Sequence, residues 1–182
     1  MPVASLQGLD AESRVIYIGT FSKVLFPSLR IGYVVLPLDL VDHFVAVRKS
    51  IDLTAALLYQ AVLTDFIREG HFARHIRRMR MLYDQRRTAL VERVREEFDG
   101  TLQIRGAQAG MHLLVELPKG FHDLRIAKEA ARRGLWLAPL SSAYLEKPSR
   151  QGLVLGFGGT PVAEMSAAVR QLKSVLPGQA EP

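Results

Sequence analysis

The sequence predicts an α/β fold in two parts: a portion of a larger domain over residues 1–70, then a complete small α/β domain over residues 71–182. Near the N-terminus, two short apolar runs flank a polar loop, which is typical of strands in a buried α/β sheet. After a long amphipathic helix, the order strand, strand, helix, strand, strand, helix is enough to enclose a core. The first part has no layer to cover its strands, so it is predicted to be only a portion of a domain.

The two N-terminal strands are predicted over residues 15–18 and 31–36, where β-branched, aromatic and other apolar side chains dominate. The second strand stops at Pro37, which has no N–H for a sheet hydrogen bond. Residues 19–30 hold small polar side chains and a proline. They are therefore predicted to form a loop between the strands.

Helices are predicted over residues 39–49 and 53–69, the second closed by Gly70, which is suited to a left-handed cap. The clearest helix follows, because apolar side chains recur there at three, four or seven residues and form one stripe. It is predicted to end at Asp99 and Gly100. The stripe contains Phe72, Ile76, Met79, Tyr83, Leu90, Val94 and Phe98.

The small domain is predicted to alternate strands with two further helices. The first of these helices covers residues 123–133 and is closed by Gly134. Thr160 is predicted to cap the last helix with Pro161 at its first position, and residues 177–178 to stop it. The strands are predicted over residues 102–105, 111–117, 135–137 and 153–157. The buried face of the last helix is predicted to contain Met165, Val169, Leu172 and Leu176.

The composition indicates a folded cytoplasmic protein. Hydrophobic residues make up 48% of the 182, which excludes a disordered chain. The absence of cysteine excludes a disulfide framework and a thiolate metal site. The N-terminus lacks the pattern of a signal peptide, and no run of about 18 apolar residues is present, so no membrane span is expected.

The net charge of +6 raises the question of an anionic partner. Much of the excess positive charge lies in residues 68–95, and the acidic residues Glu92, Glu96 and Glu97 come at or just after its end. This pattern is typical of a solvated helix face. Aromatic residues do not alternate with these arginines as a base-stacking surface requires. Direct nucleic-acid binding by this chain is therefore not expected; the alternative is binding through Arg77, Arg78 and Arg80.

The segment that carries chemistry is Thr-Phe-Ser-Lys-Val-Leu-Phe-Pro-Ser-Leu-Arg-Ile-Gly-Tyr, residues 20–33. It places Lys23 beside the hydroxyls of Thr20 and Ser22, with Arg30 seven positions later. A phosphate-bearing aldehyde needs an amine that reaches its carbonyl carbon, and hydroxyls with a guanidinium that hold its phosphate. Spacing alone leaves a surface lysine beside an arginine as the alternative.

This segment resembles the lysine motif of class I/II aminotransferases, often written S-F-S-K-x-x-x-P-G-L-R-x-G-Y. Thr20 stands where the motif has serine and keeps the hydroxyl, while Ser28 replaces a glycine. The resemblance implies that Lys23 is the Schiff-base lysine of pyridoxal 5′-phosphate (PLP), and that Thr20, Ser22 and Arg30 contact the cofactor phosphate. The matching residues are Phe21, Ser22, Lys23, Pro27, Leu29, Arg30, Gly32 and Tyr33.

Four further segments resemble the aminotransferase-like domain of MocR-type regulators in the GntR family: residues 6–10, 15–20, 70–80 and 153–157. The resemblance implies the C-terminal part of a fold-type I PLP-dependent transferase, with a partial large domain and a complete small α/β domain. It also implies a homodimer and an effector that is a small-molecule amino compound or PLP itself.

The chain also departs from the aminotransferase pattern. The acidic partner of the pyridine nitrogen and the aromatic residue that stacks on the ring are expected before residue 1, so a truncated fragment is expected. At the position expected for the substrate-carboxylate arginine, the chain has Val154. Arg105 or Arg150 could replace that arginine, or each could be a surface residue.

Two alternatives to the sensor hypothesis stay open: a PLP-dependent aminotransferase that transfers an amino group from an amino acid to a keto acid, and a cofactor-free dimerising fragment. Catalytic competence is therefore undecided. No metal is predicted, because His71 and His75 have a zinc-compatible spacing but lack a third ligand. They are interpreted as imidazoles on a helix surface. Residues 156–159 are interpreted as a strand-to-helix turn, with an anion site as the alternative.

Overall fold

The computed structural model describes residues 4–52, 57–108 and 110–176. The chain forms two compact units, Met1–Ile76 and Arg77–Pro182. The predicted start of a helix at residues 53–56 and the predicted stop at residues 177–178 lie outside the described part of the chain.

The first unit contains one antiparallel pair of strands, β1 (Tyr17–Thr20) and β2 (Gly32–Val35). Thr20 lies opposite Gly32, so residues 21–31 form a long loop at one end of the pair. All residues of β2 are exposed, and the described residues place no third strand beside the pair. The buried sheet expected here is thus not formed within the described residues, because no second layer covers either face.

Three helices lie wholly within the described residues of this unit: α1 (Leu6–Leu9), α2 (Val41–Ile51) and α3 (Leu57–Arg68). Short 3-10 turns are formed at Pro27–Leu29 and Leu38–Leu40. Helix α4 (His71–Phe98) begins in the first unit and ends in the second. Gly70 separates α3 from α4 with a φ of 77°, as its predicted role in a left-handed cap requires.

The second unit contains a four-stranded antiparallel sheet in the order β3-β4-β6-β5. The strands are β3 (Gln103–Arg105), β4 (His112–Glu116), β5 (Ala138–Pro139) and β6 (Gly152–Gly156). Helices α5 (Asp123–Arg132) and α6 (Val162–Val175) pack with the end of α4 to enclose the core. The predicted order of strands and helices is confirmed. Core side chains exposed by 1% or less include Val94, Leu113, Val115, Leu153, Phe157 and Met165.

Two local predictions in this unit are wrong. The third strand, predicted over residues 135–137, lies at Ala138–Pro139. The N–H of Leu135 donates to the carbonyl of Ala130 at 2.9 Å in the cap that ends α5. It is therefore not available for a hydrogen bond within the sheet. Helix α6 begins at Val162 with Pro161 in the capping position, because the carbonyl of Pro161 already accepts from the N–H of Glu164 at 3.0 Å.

Within the described residues, no helix combines the length and the hydropathy needed to cross a bilayer.

Candidate functional site

The loop of residues 21–31 carries most of the motif and is closed at its neck by backbone pairing. The N–H of Phe21 donates to the carbonyl of Ile31 at 3.1 Å, directly after the pair formed by Thr20 and Gly32. Because the ends of the loop are joined, residues on its two sides are held close to the same end of the hairpin. Thr20 and Ser22 lie on one side of this neck and Arg30 on the other.

The side chain of Thr20 is fixed at this neck. Its Oγ1 accepts a hydrogen bond from the N–H of Ser22 at 3.1 Å and lies 3.5 Å from the carbonyl oxygen of Ile31. The second distance is long for a bond between two oxygens, so the hydroxyl hydrogen can turn to another acceptor at little cost. The oxygen is therefore positioned while its donor remains available.

Lys23 lies in a single helical turn. The carbonyl of Phe21 accepts hydrogen bonds from the N–H groups of Val24 at 3.2 Å and Leu25 at 2.8 Å. These bonds enclose Lys23, which lies between Phe21 and Val24 in the chain. The residue is exposed. The turn therefore fixes the backbone of Lys23 while leaving its side chain accessible.

Arg30 ends a short 3-10 turn over Pro27–Leu29 and adopts a left-handed conformation with φ 51° and ψ 34°. Non-glycine residues seldom adopt this conformation, and here it closes the turn begun by Pro27. The N–H of Arg30 donates to the carbonyl of Pro27 at 3.4 Å. Arg30 is exposed, so its guanidinium is accessible to a ligand.

Three aromatic rings support the hairpin beside the loop. The ring of Tyr33 lies 5.5 Å from that of Phe21 and 6.0 Å from that of Tyr17. A β-carbon on Gly19 would come within 2.3 Å of the Tyr33 ring, so glycine is required for this arrangement. The neighbouring phenol of Tyr17 raises the pKa of Tyr33. Sequence reasoning missed the roles of Tyr17 and Gly19, because the antiparallel register that joins them to Tyr33 is not visible in the chain order.

The two histidines at the start of α4 do different things. His75 Nε2 lies 2.9 Å from the carbonyl oxygen of Val24, in the turn that carries Lys23. His71 Nε2 contacts Glu69 Oε2 at 3.1 Å, and its ring stacks on Phe66. Within residues 4–52, 57–108 and 110–176, no group of three potential metal ligands is found. The expectation that both imidazoles lie on a helix surface therefore missed the contact of His75.

The two arginines considered as carboxylate ligands both pair with one glutamate. Arg150 Nη1 lies 2.9 Å from Glu116 Oε1, and Arg105 Nε lies 3.4 Å from Glu116 Oε2. Each arginine side chain is 60% exposed, which fits surface ion pairs. Val154 lies in the middle of β6, where it pairs with Leu114 of β4.

Asp123, at the first position of α5, is fully buried and was not singled out from the sequence. Its Oδ2 accepts from the N–H of Ser141 at 2.8 Å and the N–H of Gly152 at 3.1 Å, and its Oδ1 accepts from Ser141 Oγ. Burial alone would raise the pKa of this carboxyl, but the hydrogen bonds from Ser141 and Gly152 outweigh it and the pKa is lowered. Asp123 thus joins α5, β6 and the turn after β5.

The fold places the protein in a known structural class. The multiple substrate aminotransferase of Thermococcus profundus superposes with a TM-score of 0.82 at 28% identity, over 93% of this chain and 42% of that one. The α-aminoadipate aminotransferase LysN of Thermus thermophilus, solved with N-(5′-phosphopyridoxyl)-L-leucine, gives 0.84 at 25% identity, over 97% and 46%. The architecture is that of the fold-type I PLP-dependent transferases, as the resemblance implied.

The family follows from the sequence comparison: the family model for aminotransferase class I and II matches residues 1–158, and the chain belongs to this family.

Its curated relatives include regulators. The probable rhizopine catabolism regulatory protein MocR of Rhizobium meliloti is 41% identical over 96% of the chain. The HTH-type transcriptional regulator YdeL of Bacillus subtilis is 36% identical over 95%. The chain spans 36% and 37% of the lengths of these relatives. The resemblance to MocR-type regulators is confirmed.

Proposed function

We propose that the chain is a PLP-binding, aminotransferase-like effector-sensing domain of a MocR-type transcriptional regulator, located in the cytoplasm. Lys23 is its Schiff-base lysine, and Thr20, Ser22 and Arg30 hold the cofactor phosphate. One observation carries the proposal: Thr20 ends β1, and Ser22, Lys23 and Arg30 lie in the loop that follows it, whose neck is closed by the hydrogen bond from Phe21 to Ile31.

The donor groups of this loop fit a phosphate. A guanidinium offers two parallel N–H donors to phosphate oxygens, and Arg30 is exposed. Thr20 Oγ1 is fixed by the N–H of Ser22, while its hydrogen can turn to an anion. Ser22 is partly exposed and adds a second hydroxyl, two positions after Thr20 and directly before Lys23. A dianion is thereby met by one positive charge and two neutral donors.

PLP, when bound, supplies an aldehyde that captures amino groups reversibly and a ring that withdraws electrons. Lys23 contributes the amine that holds the aldehyde carbon in place. An effector with an amino group would take the place of the Lys23 amine, and the lysine side chain would then be free to make other contacts. Sensing then consists of a change in what Lys23 and its turn contact, while the phosphate stays with Thr20, Ser22 and Arg30.

The proposal is tested by adding PLP to the chain and recording the visible absorption band of the bound cofactor. We expect the wild type to give the band and Lys23→Ala to lose it, because alanine has no amine to hold the aldehyde. Lys49→Ala, on the exposed surface of α2, is the matched control and should behave like the wild type. A band that persists in Lys23→Ala would exclude Lys23 as the attachment site.

A PLP-dependent aminotransferase is the second candidate, favoured by membership in a family of that name. Lys23 would then also move the proton between the substrate carbon and the cofactor. The pairing of Arg105 and Arg150 with Glu116 supports the sensor instead, since a clamp for a substrate carboxylate needs a guanidinium whose paired donors are free, and each of these arginines already uses donors on Glu116. Adding an amino donor and a keto acid separates the two, because only an aminotransferase consumes both.

We also propose that the chain forms a homodimer. Large apolar side chains of the first unit are open to solvent: Leu38 is 91% exposed, and Ile18 and Ile51 are each 76% exposed. Apolar surface of this extent favours association with another surface. Sedimentation velocity over a range of concentrations should give a dimer, whereas a monomer at every concentration would contradict the proposal. A dimer without the cofactor band would indicate the cofactor-free dimerising fragment.

A further inference from the structure

The N-terminal end of α4 contacts residues on both sides of Lys23. The ring of Phe72 meets that of Phe21 edge-on, with centroids 5.8 Å apart and planes at 73°. His75 Nε2 lies 2.9 Å from the carbonyl oxygen of Val24. Phe72 and His75 are three positions apart and so lie on one face of the helix. The same helical face therefore holds the residue two before Lys23 and the residue directly after it.

The chemistry of the contact at His75 is determined by its partner. A carbonyl oxygen can only accept, so Nε2 of His75 carries the hydrogen and donates it. Both the neutral ring protonated at Nε2 and the imidazolium can make this bond. The contact thus does not depend on the charge of His75.

The bond acts on the turn that contains Lys23. The carbonyl of Phe21 accepts from the N–H groups of Val24 and Leu25, and the carbonyl of Val24 is held in turn by His75. Fixing the peptide between Val24 and Leu25, one residue after Lys23, limits how far the turn can move and so limits the directions in which the Lys23 side chain can leave the backbone. A fixed direction favours reaction of an amine with an aldehyde, because less freedom is lost when the two meet.

We propose that His75 is a positioning residue for Lys23, which it orients by donating a hydrogen bond to the carbonyl of Val24. This role rests on the proposed function, in which Lys23 holds the cofactor aldehyde. His75 does not contact the cofactor in this scheme. It acts through the peptide between Val24 and Leu25, in the turn that contains Lys23.

The test compares His75→Ala, His75→Gln and His71→Ala in the full chain. PLP and pyridoxal, which lacks the phosphate, are titrated into each variant, and amide hydrogen exchange is measured without ligand. His71→Ala is the matched control, since His71 contacts Glu69 and Phe66 on the same helix instead of the Lys23 turn. Thermal unfolding of every variant shows whether a change reflects loss of the fold.

We expect His75→Ala to weaken PLP and pyridoxal to the same degree, by about tenfold, the effect of one lost hydrogen bond. We also expect faster exchange at the N–H groups of Val24 and Leu25. His75→Gln should recover most of the affinity, because its amide N–H can donate to the same carbonyl. His71→Ala should match the wild type in all of these measurements.

The inference is overturned if His75→Ala binds both compounds like the wild type, or if His71→Ala loses as much affinity as His75→Ala. Loss of the band in Lys23→Ala together with unchanged binding in His75→Ala refutes the role of His75 alone. A band that survives in Lys23→Ala, or a wild type that shows no band, refutes the proposed function and this role with it. Unchanged exchange at Val24 and Leu25 in His75→Ala contradicts the contact independently of any ligand.

Discussion

Replacement of Asp123 by alanine is expected to lower the free energy of unfolding of the second unit by about 3 kcal/mol. The carboxylate is fully buried and accepts from both the N–H and the hydroxyl of Ser141 and from the N–H of Gly152. Alanine leaves these donors in the interior without acceptors, and each unsatisfied group adds a desolvation cost. Urea unfolding followed by circular dichroism measures the change.

The stabilisation by Asp123 is also expected to depend on pH. Its pKa in the folded state is lowered relative to the unfolded value of about 3.9. The contribution is therefore fully present above about pH 4 and is lost as the pH falls through the folded-state pKa. The difference in unfolding free energy between the wild type and Asp123→Asn should shrink on acidification below about pH 4.

Asp84→Asn is the control for both measurements. Asp84 pairs with Arg87 on the surface of α4, and its side chain is 68% exposed. Its replacement should cost less than about 1 kcal/mol. An Asp123→Ala variant as stable as Asp84→Asn would show that the buried bonds do not support the second unit.

Replacement of Arg30 by alanine is expected to weaken PLP binding by about 100-fold, since hydrogen bonds to charged groups contribute about 1.5–3 kcal/mol. Arg30→Lys keeps the charge but loses the paired donors, so a smaller loss of about tenfold is expected. Pyridoxal should bind the wild type and Arg30→Ala equally, because it has no phosphate for the guanidinium to hold. Equilibrium titration with both compounds measures these effects.

Arg14→Ala serves as the control, because Arg14 is exposed and pairs with Glu12 outside the loop. It should bind PLP like the wild type. If Arg30→Ala weakens pyridoxal as much as PLP, Arg30 supports the loop and does not hold the phosphate. Alanine also adopts the left-handed conformation no more easily than arginine, so the backbone cost is similar in both.

The local pattern predicted much of the second unit. The apolar stripe of α4 ends in the core at Leu90, Val94 and Phe98, as its spacing predicts. The position of β5 was missed, because the hydrogen bond of Leu135 with Ala130 depends on how α5 ends. Asp123 was missed as well, because an aspartate at a helix start normally indicates a cap. The donors to its carboxylate, on Ser141 and Gly152, are 18 and 29 positions away in the chain.

By itself, the sequence predicted which residues bring chemistry to this protein. Lys23, Thr20, Ser22 and Arg30 lie within eleven consecutive positions, and short-range spacing is visible in a chain. The tertiary structure alone decided what surrounds them: the antiparallel register that sets Gly19 against Tyr33, and the contact of His75 with Val24, 51 positions apart. Such contacts form only when distant segments pack, since hydrogen bonds and van der Waals attraction act over a few ångströms and have no fixed separation in sequence.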